Sequence, residues 1–492
     1  MLISSSRPLL RSTLRHSMPL RAKITSQAFL RMSSTAASDV AEDDVLFESN
    51  MLTRIVKLNR PKKLNALNKS MVDKIMPRLK AWRDTDASVV IIKGLGGRAL
   101  CAGGDVASLL DIPVEESAGF FAGEYGLDYL LATYPKAVVA IMDGITMGGG
   151  AGLSMHAPFR IATEKTVFAM PETLIGFYPD VGAGFFLSRL DGELGTYLAM
   201  TGERLNGFDA YIAGAATHLV KTDSLPDLEA RIVELSSRSL DQLDTKLDPK
   251  GAKKLNAVLN GAIDDFQETV PENYKYSFGG EVGEIIDRCF SKKSLDEILA
   301  ALRAEPSEFA KKTVETLEMR CPLSMKVALQ LVRTSRNLSI AQMFKRDIHL
   351  AYYFMREPEF KKGVTHRVIE KRNDRADWAE PPTDKHVKEV FFSEDLVAEM
   401  QPLYQAIDDF GADDYKEYPY HNGLPSESDV RAYVLGESAG SGPYLSTTTE
   451  VVDHFEEQFG GKTGVRVKVE DLLARKTKIV KGQEEEKLIN WV

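Results

Sequence analysis

At 492 residues the chain exceeds the usual reach of one hydrophobic core, so a main domain with accessory parts is expected. Its 43% hydrophobic and 27% charged residues are ordinary for a soluble globular protein, and its net charge of −9 argues against an overall basic nucleic-acid binder. Cys101, Cys289 and Cys321 lie too far apart for a disulfide framework or a zinc site, and no apolar run is long enough to span a bilayer.

Residues 1–38 stand apart. They carry Arg7, Arg11, Arg15, Arg21, Lys23 and Arg31 among Ser and Thr, and no acid precedes Asp39. On a helix Arg7, Arg11 and Arg15 share one side, with Leu9, Leu10 and Leu14 on the adjacent arc. Pro8 and Pro19 limit the helix length. This is the pattern of a mitochondrial transit peptide, removed somewhere near Arg31 to Thr35.

The mature protein is expected to begin around Val40. Ile55-Val56-Lys57-Leu58 reads as a strand ended by Asn59-Arg60-Pro61. Ser70 is placed to cap a helix through Trp82, which Pro77 should kink or shorten. Val89-Val90-Ile91-Ile92 is a buried strand stopped by Gly94, Gly96 and Gly97. Leu100-Cys101-Ala102-Gly103-Gly104-Asp105 forms a glycine-bearing turn, followed by helical sequence through Leu131. A further strand, Ala137 to Met142, runs into Gly144 and the run Gly148-Gly149-Gly150; Phe159 to Ala162 is the next strand. Strands alternating with helices indicate an α/β core. From about Leu225 to Trp378 the pattern is mainly helical, Glu380-Pro381-Pro382 marks a boundary, and 383–492 forms an extension of helix-like pieces. The extension ends in a basic stretch, Lys462 to Lys481, whose simplest reading is a solvated helix face.

Two glycine turns beside isolated acids suggest acyl chemistry. Two main-chain N–H donors, one from the turn at Ala102 and one from Gly149, could stabilise the oxyanion that forms as a thioester carbonyl is attacked, each worth about 3 kcal/mol. Glu172, in Met170-Pro171-Glu172, and Asp180, in Tyr178-Pro179-Asp180, are the candidate acids. A carboxylate there acts as nucleophile or as general base toward water, and a second acid orients that water or raises the pKa of the first. Glu124 is a weaker candidate, in what reads as an ordinary amphipathic helix. His156 and His218 lack spaced partners and default to core or surface roles. There is no metal-ligand cluster, no dinucleotide or P-loop spacing, and no Ser-His-Asp signature.

Asn59-Arg60-Pro61 with Leu64-Asn65-Ala66-Leu67, Cys101-Ala102-Gly103-Gly104-Asp105, and Gly144-Ile145-Thr146-Met147-Gly148-Gly149-Gly150 resemble the enoyl-CoA hydratase/isomerase (crotonase) superfamily. The stretch from Phe168 to Gly184, FAMPETLIGFYPDVGAG, and the run from Lys362-Gly363-Val364 to Trp378 resemble its 3-hydroxyisobutyryl-CoA hydrolase branch. The resemblance covers roughly residues 45–390. It implies an α/β crotonase (ClpP-like) spiral of ββα units over 45–224, a helical C-terminal part over 225–382, and an additional extension over 383–492. It implies oxyanion amides at Ala102 and Gly149, catalytic acids at Glu172 and Asp180, and substrate contacts from Glu124, Gly149, Glu172 and Asp180, with Lys62 or Lys63 near the phosphates of coenzyme A. It further implies an acyl-CoA substrate, no metal, no cofactor beyond the coenzyme A that the substrate carries, and a place in the mitochondrial matrix, in valine breakdown. A homo-oligomer is compatible with it.

A hydratase of this superfamily carries its first catalytic glutamate where this chain has Gly152. Adding water across a C=C needs a second acid, which glycine cannot supply, so thioester hydrolysis is favoured. Two other readings stay open. One is an enoyl-CoA isomerase or hydratase. The other follows from fungal members of the hydrolase branch that occur in the small subunit of the mitochondrial ribosome, where the extension and its basic stretch would suit docking onto RNA or protein.

Overall fold

The computed structural model describes residues 43–242, 249–393, 400–409, 414–438, 440–442, 444–481 and 487–492. The expected transit peptide, residues 1–38, lies outside them. Residues Asp44–Val492 form one compact unit.

Its centre is a six-stranded sheet in the order β1 (Val45–Asn50), β2 (Thr53–Leu58), β3 (Val89–Gly94), β5 (Ala137–Met142), β7 (Phe159–Ala162), β10 (His218–Leu219). The β1–β2 pair is antiparallel and the others are parallel. A second sheet, in the order β4 (Ala99–Cys101), β6 (Ile145–Met147), β8 (Val167–Ala169), β9 (Leu205–Asn206), lies one step along the chain from the first. β3 is followed by β4, β5 by β6 and β7 by β8, each pair leading on to helical sequence, which is the ββα spiral. Sequence reading found β2, β3, β5 and β7; it missed the short strands, where two or three residues are too few to show a period, and β1, whose six residues are mostly exposed and form no apolar run.

Val89–Ile92 of β3 and all of β5 are unbroken apolar runs because both faces of the sheet are covered there. Val90, Ile92, Val138 and Ala140 face the main core. Val89, Ile91, Val139 and Ile141 face a second core, with Leu228, Ile232, Leu259 and Ile263 from the helices Leu225–Gln242 and Pro249–Asp264.

The first helix, α1 (Lys69–Arg83), is capped by Asn68, not Ser70: the Asn68 side chain accepts from the Met71 N–H at 2.9 Å. The helix is not ended by Pro77 but continues past it to Arg83. Pro77 lies on the exposed face, where water can take the carbonyl that its missing N–H leaves unpaired. The next two helices, α2 (Val114–Ala132) and α3 (Gly149–Met155), carry the site.

In the extension, the helices Glu427–Val434, Thr448–Gln458 and Val465–Lys476 share a small core of Val430, Val451, Phe455, Val469 and Leu472. The basic stretch is not a solvated face. Lys462 and Lys468 are each 6% exposed, with Lys462 against Asp264 (3.0 Å) and Lys468 against Asp191 (2.8 Å). Arg475 and Lys476 both reach Asp287, at 3.1 and 2.9 Å. A charge run seen in sequence has no visible partner; here the partners lie far upstream in the chain, at Asp191, Asp264 and Asp287. Among the described residues no helix is long and apolar enough to cross a membrane.

Candidate active site

Both glycine turns open on one cavity of about 590 Å³. Ala102, Glu124, Gly149, Glu172 and Asp180 all line it, as does Lys63; Lys62 does not. The turns that carry Ala102 and Gly149 meet here because β4 and β6 lie side by side.

One expected member fails on geometry. The Ala102 N–H donates to the Leu64 carbonyl at 3.0 Å, so it is not available to a substrate. Two residues on, the arrangement changes. The Gly103 carbonyl accepts from Leu67 N–H at 2.8 Å and the Asp105 N–H donates to the Leu67 carbonyl at 2.6 Å. In extended backbone alternate residues face opposite ways, so the intervening Gly104 directs its own N–H away from Leu67. Gly104 lines the cavity and its N–H has no acceptor among the described residues. The free amide of this turn is therefore that of Gly104.

The second turn is built on Gly148, whose φ of +48° suits glycine, and α3 begins at Gly149. Gly148 and Gly149 leave little room for a side chain. A Cβ at residue 148 would lie 2.9 Å from Glu172 Oε1, and one at residue 149 would collide with Glu124 Oε1. The same contacts place the two glutamates on either side of the glycine pair.

Glu124 was expected on an amphipathic helix. α2 is instead buried almost all round from Ser117 to Leu131, and Glu124 is 2% exposed. Glu172 opens the 3-10 turn Glu172–Ile175 after Pro171, is 6% exposed, and its Oε2 has no hydrogen-bond partner. Burial, and then the charge of Asp180, hold both glutamates well above the ordinary carboxylate range. Asp180 is pushed up to about 7 by burial, against the hydrogen bond it accepts from the Tyr125 hydroxyl at 2.8 Å. A carboxylate short of water and of donors is a stronger base and nucleophile than one in solvent.

Sequence reading missed several members. Asp128 lies one helical turn beyond Glu124, is fully buried, and neither of its carboxyl oxygens has a hydrogen-bond partner among the described residues. It packs against Gly152: a Cβ there would run into the Asp128 carboxyl group and lie 2.8 Å from Val181 Cβ. The other omissions are cations. Arg204, Arg320 and Arg367 line the cavity with Lys63, and none of the four has an ion-pair partner among the described residues. Arg320 is pushed down to about 10 by burial and by the neighbouring Arg367. No motif marks these arginines, because they come from the loop at residue 204 and from the helical part. His156 and His218 are core residues, 3% and 1% exposed.

The sequence profile of the enoyl-CoA hydratase/isomerase family matches residues 53–393. The chain belongs to that family. Among solved structures, a carnitinyl-CoA dehydratase from Mycobacterium thermoresistibile is 28% identical, with a TM-score of 0.61 over 72% of this chain and 97% of that one. An enoyl-CoA hydratase from Rhodobacter sphaeroides gives 29% and 0.61 over 73% and 98%. The crotonase fold expected from sequence is therefore present. Among curated proteins, the small ribosomal subunit protein mS47 of Neurospora crassa is 42% identical over 95% of this chain and 93% of its own length, a coverage that takes in the extension. The mitochondrial 3-hydroxyisobutyryl-CoA hydrolase of Gallus gallus is 39% identical over 74% of this chain and 91% of its own, and the human one 38% over 73% and 89%.

Proposed function

We propose that this family member hydrolyses 3-hydroxyisobutyryl-CoA to 3-hydroxyisobutyrate and coenzyme A. The observation that carries the proposal is the pairing of two acceptor-free amides, Gly104 and Gly149, with the buried Glu172 in one cavity that has no acid at residue 152. The thioester oxygen sits between the amides, which gain strength as charge develops on it. Glu172 either takes a proton from the attacking water or adds to the carbonyl carbon itself, giving an anhydride that water then opens. The C–S bond breaks, the thiolate takes up the proton that Glu172 removes from the water and leaves as the free thiol, and Asp180 keeps Glu172 basic and the water oriented. Glu124, beside Gly149, accepts the acyl 3-hydroxyl. Arg204, Arg320, Arg367 and Lys63 bind the coenzyme A phosphates at the cavity rim. No cofactor beyond that coenzyme A is required.

Hydratase chemistry is disfavoured by the packing of Asp128 against Gly152, which leaves no room for a projecting glutamate. The relatives named as 3-hydroxyisobutyryl-CoA hydrolases support the same substrate, and valine breakdown as its source. Those relatives are mitochondrial by name, which supports the mitochondrion for this chain, and the acid-free, arginine-bearing residues 1–38 support the matrix. A free-thiol assay over short acyl-CoAs, with and without a 3-hydroxyl, tests the reading. Water addition to crotonyl-CoA without thiol release would overturn it.

A second role is supported by the Neurospora relative named as a small ribosomal subunit protein, whose match runs through the extension. Docking would use protein contacts rather than the basic stretch, whose central cations are already paired. Sedimentation with small subunits, lost on deletion of 383–492, is the expected result; a wholly soluble profile would count against it.

A further inference from the structure

The turn that carries Asp180 is strained. Val181 has φ +53° and Gly182 φ +79°, and a β-branched residue in the left-handed region persists only where its surroundings hold it. Three hydrogen bonds do so: Tyr125 hydroxyl to Asp180 Oδ2 (2.8 Å), Gly182 N–H to Asp347 Oδ2 (2.7 Å), and His156 Nε2 with the Val181 carbonyl (3.0 Å).

The third bond depends on the extension. Burial lowers the His156 pKa to about 4, so the ring is neutral and has a single N–H. A carbonyl only accepts, so that N–H must be on Nε2, which leaves Nδ1 bare. The Tyr418 hydroxyl faces Nδ1 at 3.2 Å and donates to it. Tyr418 lies beyond the family match, which ends at residue 393. Its ring stands edge-on to Phe185 at 5.1 Å, and its neighbours are fixed independently: Glu417 pairs with Arg189 (3.3 Å) and the Tyr415 carbonyl accepts from Ile340 N–H (2.9 Å).

We infer that Tyr418 is a positioning residue for Asp180: by holding His156 in the Nε2–H tautomer it locks the Val181 carbonyl, and so makes the C-terminal extension part of the catalytic apparatus. The inference rests on the reading of Asp180 as a working acid of thioester hydrolysis. It gives the extension a task that the hydrolase domain alone would not predict.

The test uses the full chain with Tyr418→Phe, His156→Gln and His156→Leu. Glutamine can donate to the Val181 carbonyl and accept from Tyr418; leucine can do neither. Steady-state thiol release is measured together with amide hydrogen exchange over residues 178–186. Tyr418→Phe should lower kcat about 10-fold with KM within about twofold, and His156→Leu should lower kcat about 100-fold, since misplacing a reacting group by 1 Å costs that much. His156→Gln should stay within about threefold of the parent, and exchange over 178–186 should quicken in the phenylalanine and leucine variants alone. Parental kcat and exchange in Tyr418→Phe, an effect on KM alone, or a glutamine variant as slow as the leucine one would overturn the inference. If the parent released no thiol from any acyl-CoA, the hydrolase reading would fall. The exchange data would still decide whether Tyr418 orders the turn.

Discussion

The Tyr125 hydroxyl donates to Asp180 Oδ2 at 2.8 Å, and it is the largest influence opposing the burial that lifts that acid to about 7. Removing the donor should let the pKa climb further. In Tyr125→Phe the acidic limb of the kcat profile, read as loss of ionised Asp180, should move to higher pH by roughly one unit. An unmoved or downward-moved limb would show that the bond is not felt by the ionised acid.

Glu172 has one oxygen against the Gly148 turn and another without a partner. Glu172→Gln keeps the shape and removes the base, so thiol release should fall by about 10²–10⁴-fold with little change in KM. Undiminished turnover would remove Glu172 from the mechanism.

Restoring a glutamate at residue 152 should not create a hydratase. Its side chain would meet Asp128 and Val181 inside a filled core, so Gly152→Glu should cost more than about 3 kcal/mol of stability. The double variant Asp128→Ala/Gly152→Glu should recover part of that loss. Strict additivity in urea melts would argue against the contact.

Asp128 is buried with no hydrogen-bond donor, and burial, followed by Glu124, Asp180 and Asp347, holds its pKa well above 3.8. The folded state thus binds its proton more tightly than the unfolded chain does. The stability this provides is fully present below the unfolded value near 4 and is lost as pH rises through the folded value. Asp128→Asn should therefore be more stable than the parent at pH 8, by about 1–3 kcal/mol, with the gap closing toward pH 4. A gap that widened in acid would contradict the sign.

Lys468 is buried against Asp191, so Lys468→Ala should act on folding rather than on RNA affinity. A loss of about 3 kcal/mol is expected from the partner left unpaired. A parental melting curve combined with a reduced salt slope for RNA binding would instead place this lysine on a nucleic-acid face.

Several of the residues that line the cavity, Gly149, Glu172 and Asp180 among them, were legible in the chain because they sit in rigid local contexts. Glycine turns after strands, Met170-Pro171-Glu172 and Tyr178-Pro179-Asp180 leave a mark in a one-dimensional string, and the strands between them are unbroken apolar runs. What needed the tertiary structure was everything set by a distant partner. The Leu64 carbonyl takes the Ala102 amide, and the amide left free in that turn is that of Gly104. Asp128 fills the space beside Gly152, and acids from the core consume the cations of the extension. Tyr418 reaches His156 across 262 positions. Local propensity and motif spacing are properties of neighbouring residues. Hydrogen-bond satisfaction and excluded volume belong to pairs that only folding brings together, and in this protein they decide which amide is free and which acid is held.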